Sequence, residues 1–309
     1  MSILVVGSVA FDTLKTPFGT REKIIGGSAT YFSLAASFFT DVRVVGVVGE
    51  DFTAEHENVM KDRGIDTSGI EHAKGKTFHW GGEYGDSNLN EAQTKFTDLN
   101  VFQDFKPQIP QSYLDSQFLF LANIDPALQS EVREMVPSAK LVGGDTMNLW
   151  INIKRPELME SLKKVDILLI NDGEAKMLAG DNSLPRAARK VLEFGPRALV
   201  IKHGEYGATI FFRDDVFGIG THHPFRAPAL PLDEVHDPTG AGDSFAGGFM
   251  GYVASQGELN RDVLKRAMFY GSVMGSFAVE RFGPERLQTL TRNDIEQRFK
   301  LFRDLTHLT

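Results

Sequence analysis

The sequence predicts an α/β fold with a doubly wound, mainly parallel sheet flanked by helices, together with a small β-rich lid. Short apolar, β-branched runs recur along the chain and are mostly separated by segments long enough for helices. These runs are Ile3 to Val6, Val42 to Val48, Phe118 to Leu121, Val165 to Ile170 and Ala198 to Ile201. Strands that are apolar throughout suit a sheet covered by helices on both faces, so functional motifs are expected just after the strands.

The lid is predicted from a local change in residue composition. Between about Lys74 and Lys106, glycines punctuate aromatic and polar residues. A second short piece, Asp12 to Lys23, separates the first strand from its helix. We therefore expect one domain over residues 1–309, with lid insertions at about 12–23 and 74–106 that pair with each other. Because unpaired strand edges invite a partner, a homodimer formed through the lid is a further hypothesis.

Composition bounds the possible functions. The chain has 309 residues, of which 42% are hydrophobic, and this is enough for one α/β domain with a large core. A net charge of −8 argues against binding to a nucleic-acid backbone. The lack of Cys excludes disulfides, thiolate metal sites and a cysteine nucleophile. No basic leader precedes the first strand and no stretch approaches the roughly 18 apolar residues of a membrane span, so we expect a cytoplasmic protein without membrane contact.

The most informative motif is the heptapeptide Asp-Pro-Thr-Gly-Ala-Gly-Asp, which runs from Asp237 to Asp243. The apolar spacing after it marks one face of a helix and places Asp243 in the first turn. A glycine-rich turn that opens a helix directs backbone N–H groups at an anion, and the helix dipole adds to the attraction. A carboxylate beside a bound phosphate can deprotonate an acceptor hydroxyl. The alternative is that the glycines only permit tight packing and Asp243 only caps the turn.

With the residues described next, this motif resembles that of the ribokinase-like carbohydrate kinases of the phosphofructokinase B type, which phosphorylate sugars and nucleosides. The resemblance covers nearly the whole chain. It implies that Asp243 is the catalytic base and that Gly240, Ala241 and Gly242 form the anion hole. The implied activity is transfer of the γ-phosphoryl group of Mg²⁺-bound ATP to a hydroxyl of a small sugar or related polyol. A nucleoside kinase of the same fold, and a catalytically degenerate regulator that binds a nucleotide or sugar, are the alternatives.

Two further segments are similar to the nucleotide side of this family. Asn171 and Glu174 match an Asn-x-x-Glu motif, in which Glu174 would help to hold Mg²⁺, largely through water, and Asn171 would contact ATP. Taken alone, the same pattern is a helix capping box. Lys202, Gly204 and Gly207 match the family's turn beside ATP, and their alternative role is that of a simple hairpin.

On the acceptor side, the resemblance assigns Asp12, Gly26 and Gly27 to the binding of substrate hydroxyls. A carboxylate can accept hydrogen bonds from two hydroxyls, and glycines let a ligand approach the backbone closely. The alternative is an ordinary turn followed by a helix start.

Three aromatic residues bear on which acceptor is used. Tyr31 stands where many sugar-kinase relatives carry Asn, so the sequence does not point specifically to ribose or fructose. Trp80 and Tyr84 lie in the predicted lid, where they could stack on a nucleoside base or only pack the lid or a dimer interface. Hexose, ribose, a cyclitol and a nucleoside therefore all stay open as acceptors.

Members of this family often bind a monovalent cation beside the anion hole, and the resemblance raises the possibility of K⁺ here. The matching positions are Asp237, Thr239, Ala278 and Gly283. Leu287 replaces a residue that is frequently polar in the family.

Two other nucleotide-binding architectures are excluded by spacing. The first strand is followed by Gly7-Ser8-Val9-Ala10-Phe11-Asp12, which lacks the Gly-x-Gly-x-x-Gly fingerprint of dinucleotide-binding folds. Gly75-Lys76-Thr77 has Gly69 upstream, one residue too far away for the Walker pattern.

Overall fold

A computed structural model gives the structure of residues 1–85, 88–213, 223–257 and 259–306. In chain order the strands are β1 (Ser2–Val6), β2 (Ala10–Thr16), β3 (Gly19–Gly26), β4 (Asp41–Val48), β5 (Asp66–His72), β6 (His79–Gly85), β7 (Asn88–Asp98), β8 (Phe118–Leu121), β9 (Leu141–Gly144), β10 (Ile167–Asn171), β11 (Ala198–Lys202), β12 (Ala208–Phe212) and β13 (Phe225–Ala227).

The helices alternate with these strands. They are α1 (Ser28–Ala36), α2 (Ala54–Lys61), α3 (Pro126–Met135), α4 (Asn148–Ile153), α5 (Arg155–Leu162), α6 (Asp172–Ala179), α7 (Leu184–Glu193), α8 (Ala241–Gln256), α9 (Arg261–Ala278), α10 (Glu285–Thr289) and α11 (Arg292–Thr306). Across the ranges given above, no helix combines the length and the apolar character that crossing a membrane requires.

The central sheet has the order β13-β12-β11-β10-β9-β8-β1-β4-β5 within the described ranges. Strands β11 to β5 in this order run parallel to their neighbours, whereas β12 and β13 are antiparallel. The parallel strands end at one edge of the sheet, where the loops that follow them converge. This arrangement confirms the predicted doubly wound α/β fold.

Helices cover both faces of the central sheet, and the side chains of β1 pack against both helical layers. Ile3 and Val5 belong to a core that includes α1, α8 and α9. Leu4 and Val6 belong to a second core that includes α3, α5, α6 and α7. All four side chains are fully buried, because alternate residues of a strand point to opposite faces and each face carries helices. The continuous apolar run in the sequence follows from this double burial.

A second sheet, of order β3-β2-β6-β7, forms the lid. Strand β2 pairs antiparallel with β3 and parallel with β6, so the two predicted lid pieces do pair with each other. Strands β3 and β7 are the edges of this sheet. Dimerisation through these edges, and a single domain over residues 1–309, stay predictions.

Candidate active site

The anion loop, residues 237–242, leads into α8 and lies between an aromatic ring and a lysine. Gly240 has a φ of 72°, and a Cβ built on it would lie 2.3 Å from Cγ of Tyr31. A Cβ built on Gly242 would lie 2.8 Å from Nζ of Lys202. The first N–H groups of a helix have no partner inside the helix. The N–H of Ala241 donates to the carbonyl of Pro238 at 3.2 Å. The N–H groups of Gly240 and Gly242 are then the loop's donors for an anion, next to a cation and in a space that β-carbons would fill, and this suits a phosphate group.

Asp243 lies in the first turn of α8, where the sequence places it. Burial raises the pKa of its carboxyl to about 6, with Lys202 opposing that rise and Glu174 adding to it. A buried carboxylate with a pKa near neutrality is suited to accept a proton from a hydroxyl.

The charges of two more acidic residues, Asp145 and Glu174, interact with the charge of Asp243. Asp145 follows β9, and burial and the charge of Asp243 hold its pKa well above the usual range. Burial also raises the pKa of Glu174. Oδ1 of Asp145 is buried without a hydrogen-bond partner among the described residues. The sequence interpretation missed Asp145, although a carboxylate directly after the run Leu141–Gly144 is a signal that could have found it.

These carboxylates fit Mg²⁺ only if a bound nucleotide supplies further oxygen ligands. Within the described ranges, no group of three acidic or histidine side chains could hold a metal ion. Mg²⁺ commonly takes one or two carboxylates and completes its shell with phosphate oxygens and water. The unpartnered oxygen of Asp145 and the adjacent Glu174 match that requirement when a nucleotide supplies the remaining oxygens.

Asp237 joins the anion loop to the chain after α9. Its carboxylate accepts a hydrogen bond from the Thr239 backbone N–H at 2.9 Å and another from the Gly283 N–H at 2.8 Å. The backbone N–H of Asp237 donates to the carbonyl of Val279 at 3.3 Å, directly after Ala278. The four residues matched to a monovalent cation site thus lie in one corner. Cation binding there stays a prediction, and Leu287 is fully buried.

The predicted acceptor side is built from the end of β3 and the first half of β2. A Cβ on Gly26 would lie 1.9 Å from Oδ2 of Asp12, and Gly27, with a φ of 96°, passes so close to Ser8 that a Cβ would lie 2.5 Å from its carbonyl oxygen. Asp12 is 4% exposed. Its burial, reinforced by the charges of Asp237 and Asp243, raises its pKa to about 8. At neutral pH the carboxyl is mostly protonated, so it can donate one hydrogen bond as well as accept others.

The lid contacts the anion loop through Tyr84. Its hydroxyl lies 3.0 Å from Oγ1 of Thr239, and the ring is buried. Trp80 precedes Tyr84 by four positions on β6, so both point to the same face of the lid. Trp80 also pairs in register with Asp12 of β2, and its indole Nε1–H donates to Oγ1 of Thr94 on β7 at 3.3 Å. The ring lies across Gly82, where a Cβ would be 2.2 Å from Cη2.

The residues predicted for the nucleotide side border a cavity of about 430 Å³ next to the anion loop. Its lining includes Lys202, Gly204, Gly207, Ala241, Gly242 and, from the lid, Asn90. A Cβ on Gly204 would lie 2.1 Å from Oδ1 of Asn90, so the tip of β7 reaches this cavity. Sequence reasoning did not identify Asn90, because only the tertiary structure brings the lid to this loop.

Asn171 plays the capping role that its motif allows. Its side-chain oxygen accepts from the Glu174 N–H, and Glu174 accepts in return from the Asn171 N–H, each at 2.8 Å. Asn171 is also the register partner of Lys202 across β10 and β11. The cap fixes Glu174 at the strand ends, and a direct contact of Asn171 with ATP stays a prediction.

An anion loop, a buried carboxylate beside it and an adjoining cavity are the parts expected of a phosphoryl-transfer enzyme. The sequence matches the pfkB family carbohydrate kinases over residues 2–290. The chain belongs to this family. The pfkB-family match confirms both the resemblance predicted from the motifs and the enzyme class, a phosphotransferase with an alcohol group as acceptor.

Individual relatives extend this match. A cytidine kinase of Thermococcus kodakarensis is 31% identical over 256 residues, covering 81% of this chain and 87% of that protein. A Burkholderia thailandensis nucleoside kinase in complex with inosine superposes with a TM-score of 0.77 at 20% identity, over 97% of this chain and 98% of that one. A putative ribokinase II of E. coli in complex with ATP and Mg²⁺ gives a TM-score of 0.77 at 18% identity, over 97% and 99%. The solved structures share the fold.

Proposed function

We propose that this pfkB-family protein transfers the γ-phosphoryl group of Mg²⁺-bound ATP to a sugar hydroxyl of a nucleoside. The observation that carries the nucleoside assignment is Trp80, which is the register partner of Asp12 and shares the lid face of Tyr84. A planar ring on the same lid face as a hydroxyl-binding carboxyl suits a ligand with a flat base and a polar sugar. The named activities of the cytidine and nucleoside kinase relatives support the same choice.

In this proposal the protein's own groups orient the acceptor and move its proton. Asp12 and the backbone at Gly26 and Gly27 hold the hydroxyl-bearing ring. Asp243 accepts the proton of the attacking hydroxyl, which it can do because its raised pKa is still below neutrality. The lid is hydrogen-bonded to the anion loop through the hydroxyl groups of Tyr84 and Thr239. It excludes water that would otherwise compete as an acceptor.

On the donor side, the anion loop and Lys202 are the groups that would stabilise the charge on the transferred phosphoryl group. Gly204 and Gly207 would let the nucleotide lie close to the backbone. Asp145 and Glu174 would hold Mg²⁺, which when bound neutralises charge on the phosphate oxygens. A site for K⁺ at Asp237 would adjoin the same loop.

A free sugar or cyclitol is the second candidate acceptor. Asp12 and the two glycines bind hydroxyls and do not require a base. The lid aromatic is the feature that separates the two classes, since a polyol has no planar ring to stack on it.

Replacement of Trp80 by Leu tests the nucleoside assignment. Stacking of a base on an aromatic ring contributes about 1–3 kcal/mol, so the KM for the nucleoside should rise by about 5- to 150-fold. The assay is ADP release with a panel of nucleosides, pentoses, hexoses and cyclitols. Phe96→Leu is the matched control, because the Phe96 ring packs on Gly81 on the opposite face of the same lid. Turnover by the wild type with free sugars or cyclitols alone would contradict the assignment.

The pH dependence of kcat/KM should show an acidic limb near pH 6. Asp243 must be unprotonated to accept a proton, so activity falls about tenfold per pH unit below its pKa of about 6. Lys202 lowers this pKa and Glu174 raises it. The limb should therefore move to higher pH in Lys202→Met and to lower pH in Glu174→Gln. A profile with no acidic limb, or shifts in the reverse directions, would rule out Asp243 as the titrating base.

A further inference from the structure

Tyr31 links the acceptor side to the anion loop through its ring. It lies in the first turn of α1, the helix that begins directly after Gly27, and is 1% exposed. A Cβ built on Gly240 would lie 2.3 to 2.4 Å from Cγ, Cδ1 and Cδ2 of the ring. The ring is therefore in direct contact with the backbone of the loop and limits how far Gly240 can move toward α1.

The hydroxyl of Tyr31 is the second unusual feature. It is buried and has no hydrogen-bond partner among the residues that the structure describes. The acidic groups that act on it are Asp12, Asp237 and Asp243, together with the hydroxyl of Tyr84. These are the groups that line the acceptor side and the anion loop. Because an unsatisfied buried hydroxyl is costly, this one is suited to bond a ligand that enters between them.

We propose that Tyr31 is a specificity-determining and positioning residue for the acceptor. Its hydroxyl forms a hydrogen bond with one hydroxyl of the acceptor, and its ring holds Gly240 in the conformation that the anion hole needs. Acceptor binding and anion-hole geometry thus depend on the same side chain. The inference rests on the proposed kinase reaction but not on the acceptor being a nucleoside, since either acceptor class carries hydroxyls.

Tyr31→Phe separates the hydroxyl from the ring. The acceptor KM should rise about tenfold or more, because an acceptor hydroxyl loses its partner, whereas the KM for ATP should stay within about twofold. A series of deoxy analogues of the acceptor gives a sharper readout. One analogue should bind to the wild type more weakly than the parent acceptor does. Tyr31→Phe should bind this analogue and the parent acceptor equally well, because the variant and the analogue each lack one partner of the same hydrogen bond.

Tyr113→Phe is the matched control. Tyr113 is also fully buried, but its hydroxyl donates to the Asp66 carbonyl at 3.0 Å and belongs to the second core. This control should lower thermal stability without changing the acceptor KM. Tyr31→Asn, which removes the ring, should lower kcat by about tenfold or more, since displacing oxyanion donors has effects of that size.

Two results together would overturn the proposal. The acceptor KM of Tyr31→Phe would equal that of the wild type, and removal of each acceptor hydroxyl would weaken binding to the variant as much as it weakens binding to the wild type. Failure of the nucleoside assignment would appear elsewhere, in the wild-type acceptor panel. The Tyr31 measurements are made with whichever acceptor the wild type turns over, so the two failures are distinguishable.

Discussion

Asp243→Asn should reduce turnover by about 10²- to 10⁴-fold, the range expected for loss of a general base. The amide has nearly the shape of the carboxyl but cannot accept the proton of the acceptor hydroxyl. ATP affinity should change little, because the N–H groups of the anion loop and the nucleotide cavity stay in place. Steady-state ADP release measures the first effect, and calorimetric titration with ATP and Mg²⁺ measures the second.

Thermal unfolding of the same variant distinguishes loss of chemistry from loss of structure. The folded-state pKa of Asp243 is raised by burial, so its ionised form destabilises the fold above that pKa. Asp243→Asn should therefore be at least as stable as the wild type at pH 7. Any gain should shrink as the pH falls from about 6, the folded-state pKa, and vanish below about 4, where the wild-type carboxyl is protonated in both states. More than about a tenth of wild-type turnover in this variant would mean that Asp243 is not the base.

Gly240→Ala should have the second largest effect, a loss of about 10²- to 10³-fold in kcat. The added methyl group would lie 2.3 Å from the ring of Tyr31, a contact that forces either the loop or the ring to move. Movement of the loop withdraws its N–H groups from the position of the transferred phosphoryl group. Single-turnover measurements at saturating substrates would report this step directly.

Gly64→Ala is a closely matched control. Gly64 and Gly240 have the same φ of 72°, so the two substitutions introduce a similar backbone strain. A Cβ on Gly64, however, meets nothing within 4 Å. Both variants should lose thermal stability, but only Gly240→Ala should lose turnover. Equal kcat in the two variants would show that the contact with Tyr31 does not control the anion hole.

In the proposed reaction, the cluster of acidic residues would favour a divalent cation on the donor side. Asp145, Glu174 and Asp243 act electrostatically on one another, and Lys202 is the basic residue that opposes them. A nucleotide brings further negative charge into the same region. The fit of Asp145 and Glu174 to Mg²⁺ follows from this balance, because a divalent ion offsets both the carboxylates and the phosphates.

Much of this protein was determined by local sequence. The apolar runs of β1, β4, β8, β10 and β11 specify strands buried on both faces, and the heptapeptide from Asp237 to Asp243 specifies the turn that opens α8. Local patterns succeed here because hydrophobic periodicity and glycine conformation act over a few residues. Strand β10 begins at Ile167 rather than at the predicted Val165, a difference at the end of an element, where pairing with neighbours decides the boundary.

Short or polar strands have weaker signals in the sequence. Strand β9 has four residues and ends in two glycines, and β5 carries charged and polar residues along an edge of the central sheet. Such segments become strands because a neighbour supplies hydrogen bonds, which propensity alone does not reveal. Asp145 was missed for the same reason, since its place in the site depends on the strand before it.

Only the tertiary structure decided which distant residues meet. The contacts of Tyr31 with Gly240, of Tyr84 with Thr239 and of Asn90 with Gly204 each join segments more than a hundred residues apart. The raised pKa of Asp12, about 8, likewise depends on burial and on the charges of Asp237 and Asp243. Sequence motifs determine which chemical groups are present, whereas packing determines their solvation and their partners, and these two factors set how the site binds and reacts.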